Sequence, residues 1–494
     1  MTGLFPAAID RHAVAVDDGR TRITFGELER NVAAWVRLLR EELGLAPGDH
    51  VAAHLRNRAE YVELVLAAIA GGLWITPVNW HLTPDEIAYV LDDAGVRCVF
   101  VDAETGGADP RFVDLDALRG RLSRTPPALD LGAEPGGTMI YTSGTSGRPK
   151  GVKRAKAKTL GAALEAMRAG GVRFGLDGRG PHLITGPMYH AAPLLFAIYD
   201  LLNGAEVLVM RRWDTHEALR LLAERRVRHV HLVPTMMARL HRLPREVREA
   251  FDPSALELVL HGAAPIAPSL KRAMIAWWGP VLVEYWGATE GGIYTLVTSE
   301  EWLPREGTVG RPIPSFRVFA VGEDGRRLGP NEIGTLYCEH VSEARPFVYH
   351  RDPAKTDASY LAPGVFTAFD LGHVDEEGYV YLSARRSNLI LRGGVNVYPA
   401  EVERVLSAHP GVADVAVYGV PDDDLGERVH AAVETASGVE ASADLAAAIL
   451  DEASKHLARF KLPERITFVR RIPRTEAGKL RRDDLLRALE EERA

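Results

Sequence analysis

The chain has 494 residues, 46% of them apolar and 26% charged, with a formal net charge of −8. That length suits about three domains, or one large and one small, and the ordinary globular composition excludes a disordered, collagenous or disulfide-stapled chain. The mildly acidic balance argues against bulk nucleic-acid binding, while a local basic patch remains compatible with it. Cys98 and Cys338 are the only cysteines. They form no C-x-x-C, which excludes a cysteine-rich zinc site and fits a reducing cytoplasm. Met1 to Arg11 lacks the basic and apolar regions of a secretory signal. The longest uncharged stretch, 64–80, is broken by Gly71-Gly72 and Thr76-Pro77. The expectation is a cytoplasmic protein without a membrane span.

In chain order, Thr24 and Glu27 make a capping-box pattern, opening a helix with apolar Leu28, Val32, Trp35, Leu38 and Leu39 that stops at Gly44. An apolar run at 51–55, a helix near 61–70 and a run at 74–78 follow. After Thr83-Pro84, a helix leads into a strand at 98–101. The alternation recurs at 207–210, 227–233, 256–260 and 281–285, predicting a layered α/β fold. From about 303 to 385 glycine and proline become frequent, and runs at 317–321, 335–339 and 379–382 predict a β-rich subdomain. Beyond Arg385 the α/β alternation resumes on a smaller scale. A helix follows Tyr398-Pro399, strands fit 412–420 and 429–433, and an Ala-rich helix covers 444–458. The expected division is a large domain over 1–386 and a small C-terminal α/β domain over 387–494.

The segment 141–151, YTSGTSGRPKG, follows a strand-like run at 138–141. Gly144, Gly147 and Gly151 let the backbone turn and present N–H groups to an anion, Thr142, Ser143, Thr145 and Ser146 add hydroxyl donors, and Lys150 supplies charge. It is not the nucleotide P-loop, because Pro149 and Gly151 flank the lysine. Nor is it a G-x-S-x-G elbow, because 144–147 is one residue short. The plain alternative is a solvated Ser/Gly loop; the density of hydroxyl and glycine residues ahead of Arg148, Pro149 and Lys150 favours phosphate binding.

With the motifs that follow it in order, this segment resembles the adenylate-forming superfamily, close to acyl-CoA synthetases of the fatty-acyl or aryl-CoA ligase type, over essentially the whole length. The resemblance implies a two-step reaction. A carboxylate attacks the α-phosphate of MgATP to give an acyl-adenylate and pyrophosphate; the C-terminal domain then rotates and the CoA thiol displaces AMP. Gly262, Ala263 and Ala264 match the adenine-side segment, a plain turn being the alternative reading. In 285–292, YWGATEGG, the resemblance gives Tyr285, Trp286 and Gly287 to the nucleotide, Thr289 to the α-phosphate and Glu290 to magnesium, with Thr142 as a further metal-side oxygen. Trp286 stands where the family commonly has Tyr, and an indole keeps the face for stacking on adenine.

Asp370 matches the aspartate that accepts both ribose hydroxyls, and an acceptor-only carboxylate suits a vicinal diol. Arg385 matches the arginine that also reaches the ribose. Ala368-Phe369 replaces the usual Thr-Gly before the aspartate, and Ala384 the usual glycine before the arginine. The following hinge, Arg386-Ser387-Asn388, lacks the usual acidic residue, whose position maps best to Ser387. Gly393 and Gly394 resemble the CoA-ligase loop beside which the pantetheine arm passes. In 473–480, PRTEAGKL, Lys479 matches the lysine that bridges carboxylate and α-phosphate.

His190, closing 187–190, resembles the gate of the acid pocket, an ordinary helix-start histidine being the alternative. His229 and His231 lie two apart on a predicted strand and share a face, with no third metal ligand apparent. Lys150, Lys153, Arg154, Lys156 and Lys158 read as a solvated face, or as a patch drawing the phosphates of ATP or CoA. No carboxylate accompanies 187–193, which disfavours a free α-amino acid as substrate. The apolar run 194–198 with Met236 and Met237 predicts a pocket for a fatty, aryl or polycyclic carboxylic acid. ATP, Mg2+ and CoA are the implied cofactors. A carrier protein or an amine in place of CoA, or an inactive nucleotide-binding protein, are the alternatives, and a homodimer is a compatible assembly.

Overall fold

The computed structural model describes residues 3–142, 149–385, 389–392, 395–422, 426–475 and 480–491. Among them a 15-stranded sheet runs through the large N-terminal domain. Its parallel centre is Val207–Val209, His182–Ile184, His229–Leu232, Leu258–His261 and Leu282–Ala288, side by side in that order. Every residue of His229–Leu232 and Leu258–His261 is buried, as expected of parallel strands covered on both faces. From Leu282–Ala288 the sheet continues antiparallel through Gly292–Thr298, Thr308–Pro312, Val380–Arg385 and Asp370–Val374 into the β-rich part expected from 303 to 385. Val14–Asp17 and Arg22–Thr24, which the apolar pattern did not announce, close the opposite edge.

A seven-stranded sheet carries Phe347–Tyr349, Lys150–Arg154, Gly137–Thr142, Trp74–Pro77, His50–Ala53, Val96–Val101 and Phe112–Asp114. The basic segment after the glycine-rich loop is therefore a paired strand, half-buried between two neighbours. The helix opened by Thr24 has its capping box, runs Phe25–Arg37, and widens into a π-turn at Leu38–Glu42 before Gly44 takes a φ of +62°. The Ala-rich helix is shorter than expected, Ala443–Ser454. The small C-terminal domain packs Val402 and Leu406 of helix Pro399–Leu406 against Val415, Val417, Val429 and Val433 of its own sheet. Arg242 reaches across to it, donating to the Ala413 carbonyl at 2.9 Å and pairing with Glu434 at 3.4 Å. Among the described residues no helix is long and apolar enough to cross a membrane.

A buried carboxylate ties the parallel centre together. Asp200, on helix Ala191–Asn203, accepts from His182 Nδ1 at 3.0 Å and His229 Nδ1 at 2.6 Å through Oδ2, and from the Gly178 amide at 2.9 Å through Oδ1. Burial alone would raise its pKa from 3.8, but the hydrogen bonds from the two histidines outweigh it and hold the carboxyl at about 2. A depressed folded pKa contributes stability above the unfolded value that is lost as pH falls toward the folded one. Asp200→Asn should therefore cost on the order of 2 kcal/mol at neutral pH. The gap to the parent in urea unfolding should narrow as the pH falls from 3.8 toward 2. A gap independent of pH would refute the charged form.

Candidate active site

The hairpin joining Leu282–Ala288 to Gly292–Thr298 sets the site. A Cβ on Gly287 would sit 2.2 Å from the Gly292 carbonyl oxygen, and Gly292 has a φ of +82°, so the strands close tightly enough to hold Thr289 and Glu290 at the tip. Glu290 is buried, and the Tyr349 hydroxyl donates to its Oε1 at 2.7 Å. Lys355 lies over that tyrosine, its Nζ 4.2 Å from the ring centroid. Thr142 ends strand Gly137–Thr142 opposite Lys150, whose Nζ is 3.6 Å from Asp352 Oδ2.

Thr142, His190, Ala263, Tyr285, Gly287, Thr289 and Glu290 all line one cavity of about 980 Å³. His190 precedes helix Ala191–Asn203 in extended backbone and packs on Tyr189, ring centroids 4.4 Å apart. Ala263 takes a left-handed φ of +65° beside Gly262, where a Cβ would meet the Tyr285 carbonyl oxygen at 2.6 Å. Ala264 follows, partly exposed. Phe174, Phe196, Tyr199, Val233, Met236 and Ile313 line the same cavity. Arg154 and Lys156 from the basic segment also reach the cavity. Lys153 instead meets His50 Nε2 at 2.9 Å and lies over Trp74, and burial pushes its ammonium down to about 8.

Strand alternation sends the neighbours Tyr285 and Trp286 to opposite sides. Tyr285 packs with Phe196, Leu258 and Leu260, and Trp286 with Tyr294 and the β-rich core. The Trp286 indole Nε1 donates to Asp370 Oδ2 at 3.0 Å, which adds anchoring of the carboxylate to whatever stacking the ring offers. Phe369, standing where the family commonly has glycine, adopts a left-handed φ of +63°. Such backbone strain costs about 1–3 kcal/mol and is concentrated at functional sites. Asp370 pairs across the ladder with Arg385. Ser143, Gly144, Thr145, Ser146, Gly147, Gly393, Gly394, Lys479 and the hinge 386–388 lie outside the described residues.

Tyr349, which bonds Glu290, and Lys355, which lies over that tyrosine, stand 59 and 65 positions from Glu290 without a sequence motif of their own. His229 and His231 do share a face, but each has its own partner. His229 joins Asp200 and His182, a grouping of three potential ligand atoms that the hydrogen bonds to one carboxylate account for, and His231 faces Tyr285.

Residues 6–345 match the AMP-binding enzyme family, and residues 401–479 the AMP-binding enzyme C-terminal domain. The chain is 32% identical over 488 residues to the fatty acid–[acyl-carrier-protein] ligase ScoC of Streptomyces coeruleorubidus, covering 95% of this chain and 92% of that protein. It is also 32% identical over 486 residues to the 2-succinylbenzoate–CoA ligase of Geobacillus kaustophilus, covering 96% and 95%. Among solved structures it resembles the O-succinylbenzoate coenzyme A synthetase of Bacillus subtilis in complex with ATP and a magnesium ion, at a TM-score of 0.80 and 27% identity over 96% of each chain. Matched in order along both domains and nearly end to end in structure, the chain belongs to the AMP-binding enzyme family.

Proposed function

We propose that this protein is an AMP-forming acyl-CoA synthetase. It activates an apolar fatty, aryl or polycyclic carboxylic acid as its acyl-adenylate and transfers the acyl group to CoA. The observation that carries this reading is one cavity lined both by Thr142, Thr289 and Glu290 and by aromatic and aliphatic side chains. In this reading Thr289 and Lys479 steady the α-phosphate as the carboxylate attacks, and His190 gates the acid. Asp370 and Arg385 hold the ribose, while Gly262–Ala264 and Trp286 flank the adenine. The loop 142–147 with Lys150 cradles the outgoing pyrophosphate. Rotation about residues 386–388 then brings Gly393 and Gly394 to the pantetheine arm.

The oxygen donors present suit a hard divalent cation, since the buried carboxylate Glu290 and the hydroxyl-bearing Thr142 line the same cavity. These two would hold Mg2+, which when bound supplies charge neutralisation at the phosphates. A second reading, with an acyl-carrier protein as acceptor, is favoured by the likeness to ScoC.

A pyrophosphate-release screen over diverse acids tests the first step, and AMP release with CoA, a carrier protein or an amine identifies the acceptor. Acid-dependent pyrophosphate release with AMP release requiring CoA is the expected result; no release with any acid would overturn the reading. The nucleotide site makes a separate prediction. Trp286→Phe keeps an aromatic face but removes the donor to Asp370, a hydrogen bond to a charged acceptor worth about 1.5–3 kcal/mol. It should weaken ATP binding by about tenfold or more, while 2′,3′-dideoxy-ATP loses little further affinity. Equal losses for both nucleotides would place Trp286 outside the ribose contact.

A further inference from the structure

Two of the polar side chains lining the cavity bond to one another. His231 on strand His229–Leu232 and Tyr285 on strand Leu282–Ala288 both line the cavity, and His231 Nε2 is 3.0 Å from the Tyr285 hydroxyl. Phe196 packs on both rings, with centroids 5.6 Å from His231 and 5.4 Å from Tyr285. His231 is buried, and burial lowers its pKa to about 3, so the imidazole is neutral at physiological pH. The Thr185 hydroxyl fixes the strand by donating to the His231 carbonyl at 2.6 Å.

A neutral imidazole has one donor and one acceptor. Its Nε2 is taken by Tyr285, and among the described residues none bonds Nδ1. If the tyrosine hydroxyl donates to Nε2, the pair is left with an Nδ1–H donor. If Nε2–H donates to the tyrosine oxygen, the pair is left with an Nδ1 acceptor and the tyrosine proton. In both arrangements the cavity wall keeps a hydrogen-bonding valence that a hydrocarbon tail would bury unsatisfied. Tyr285 lies four residues before Thr289, on the strand that leads into the hairpin tip carrying Thr289 and Glu290.

Resting on the proposed acid activation, we propose that His231 and Tyr285 form a specificity pair for acids whose apolar body carries a hydroxyl or keto oxygen part-way along its length. Such an oxygen completes the pair, and the matching deoxy acid strands it. A site built to bond a substrate hydroxyl rejects the analogue lacking it far more strongly than a pocket discriminates by one methylene. The pair acts on the acid body, away from the reacting carboxylate.

The test compares kcat/KM for pyrophosphate release within two matched pairs, para-hydroxycinnamate against cinnamate and a mid-chain hydroxy-octanoate against octanoate, in the parent and in His231→Leu and Tyr285→Phe. The parent should favour the oxygenated member of at least one pair by about tenfold or more. That ratio should fall to near unity in both variants. Because each ratio is taken within one protein preparation, it does not depend on the fraction folded. An aryl preference would assign a phenolic acid, and an aliphatic one a hydroxylated chain. Release at equal kcat/KM for both members of both pairs, or a preference that survives in the variants, overturns the specificity pair and leaves acid activation standing. No release with any acid overturns acid activation, and the pair's role falls with it.

Discussion

Glu284→Gln is expected to cost about 3–5 kcal/mol of stability, the penalty of leaving a buried charge without its partner. Lys271, on helix Pro268–Trp278, is fully buried and places its Nζ 2.6 Å from Glu284 Oε2 on the neighbouring strand. Burial pushes the ammonium down and the carboxyl up from their ordinary values, and each partner opposes the other's shift. Among the described residues neither group has a second ion-pair partner of opposite sign within 4.0 Å except His261 beside Glu284. The Lys271 Nζ sits 4.5 Å from the Trp302 ring centroid, and His261 Nε2 is 4.0 Å from Glu284 Oε2 with burial holding that imidazole neutral. Glutamine keeps the volume and removes the negative charge, so the loss reads the unpaired ammonium rather than a cavity. Replacing both partners, Lys271→Met with Glu284→Leu, should recover most of the loss, because the desolvation cost of the pair disappears with it. Urea unfolding followed by tryptophan fluorescence measures both. A loss below about 1 kcal/mol for Glu284→Gln, within the range of exposed ion pairs, would refute this account.

Lys479→Ala should lower acid-dependent adenylate formation by about 100- to 1000-fold, the usual effect of removing one preorganised group that stabilises developing charge. The match to the family's C-terminal domain extends to this residue. Its ammonium is proposed to offset the repulsion between an anionic nucleophile and the α-phosphate, a service needed only in the first step. Thioester formation from supplied acyl-adenylate should therefore change much less, since rotation would carry the lysine away. Measuring the half-reactions separately, by pyrophosphate release and by CoA-dependent AMP release, decides the matter. Equal losses in both would mean that the lysine is structural or that no rotation occurs.

What could be read from the chain alone was whatever a short stretch decides by itself. The capping box at Thr24 with Glu27 is formed, and Pro84 sits in the first turn of the helix after Thr83, because each uses only groups within one helical turn. The layered α/β architecture, the β-rich stretch and the small C-terminal sheet followed from apolar periodicity, which depends on the local repeat. Thr289 and Glu290 were legible because a hairpin tip and its glycines travel together in sequence. Pairings between distant strands were not legible. Strand Lys150–Arg154 looked like a charged surface, since five residues with two lysines and an arginine give too short a pattern to show burial on one side. The tertiary structure alone decided that Trp286 would hold Asp370 from 84 positions away, that Tyr349 would hold Glu290, and that His231 would meet Tyr285 on the cavity wall. The reason is physical. A side chain's secondary structure is set mainly by its neighbours in the chain, whereas its hydrogen-bond partner is set by which strands become adjacent and in what register, and that is fixed only when the whole sheet assembles.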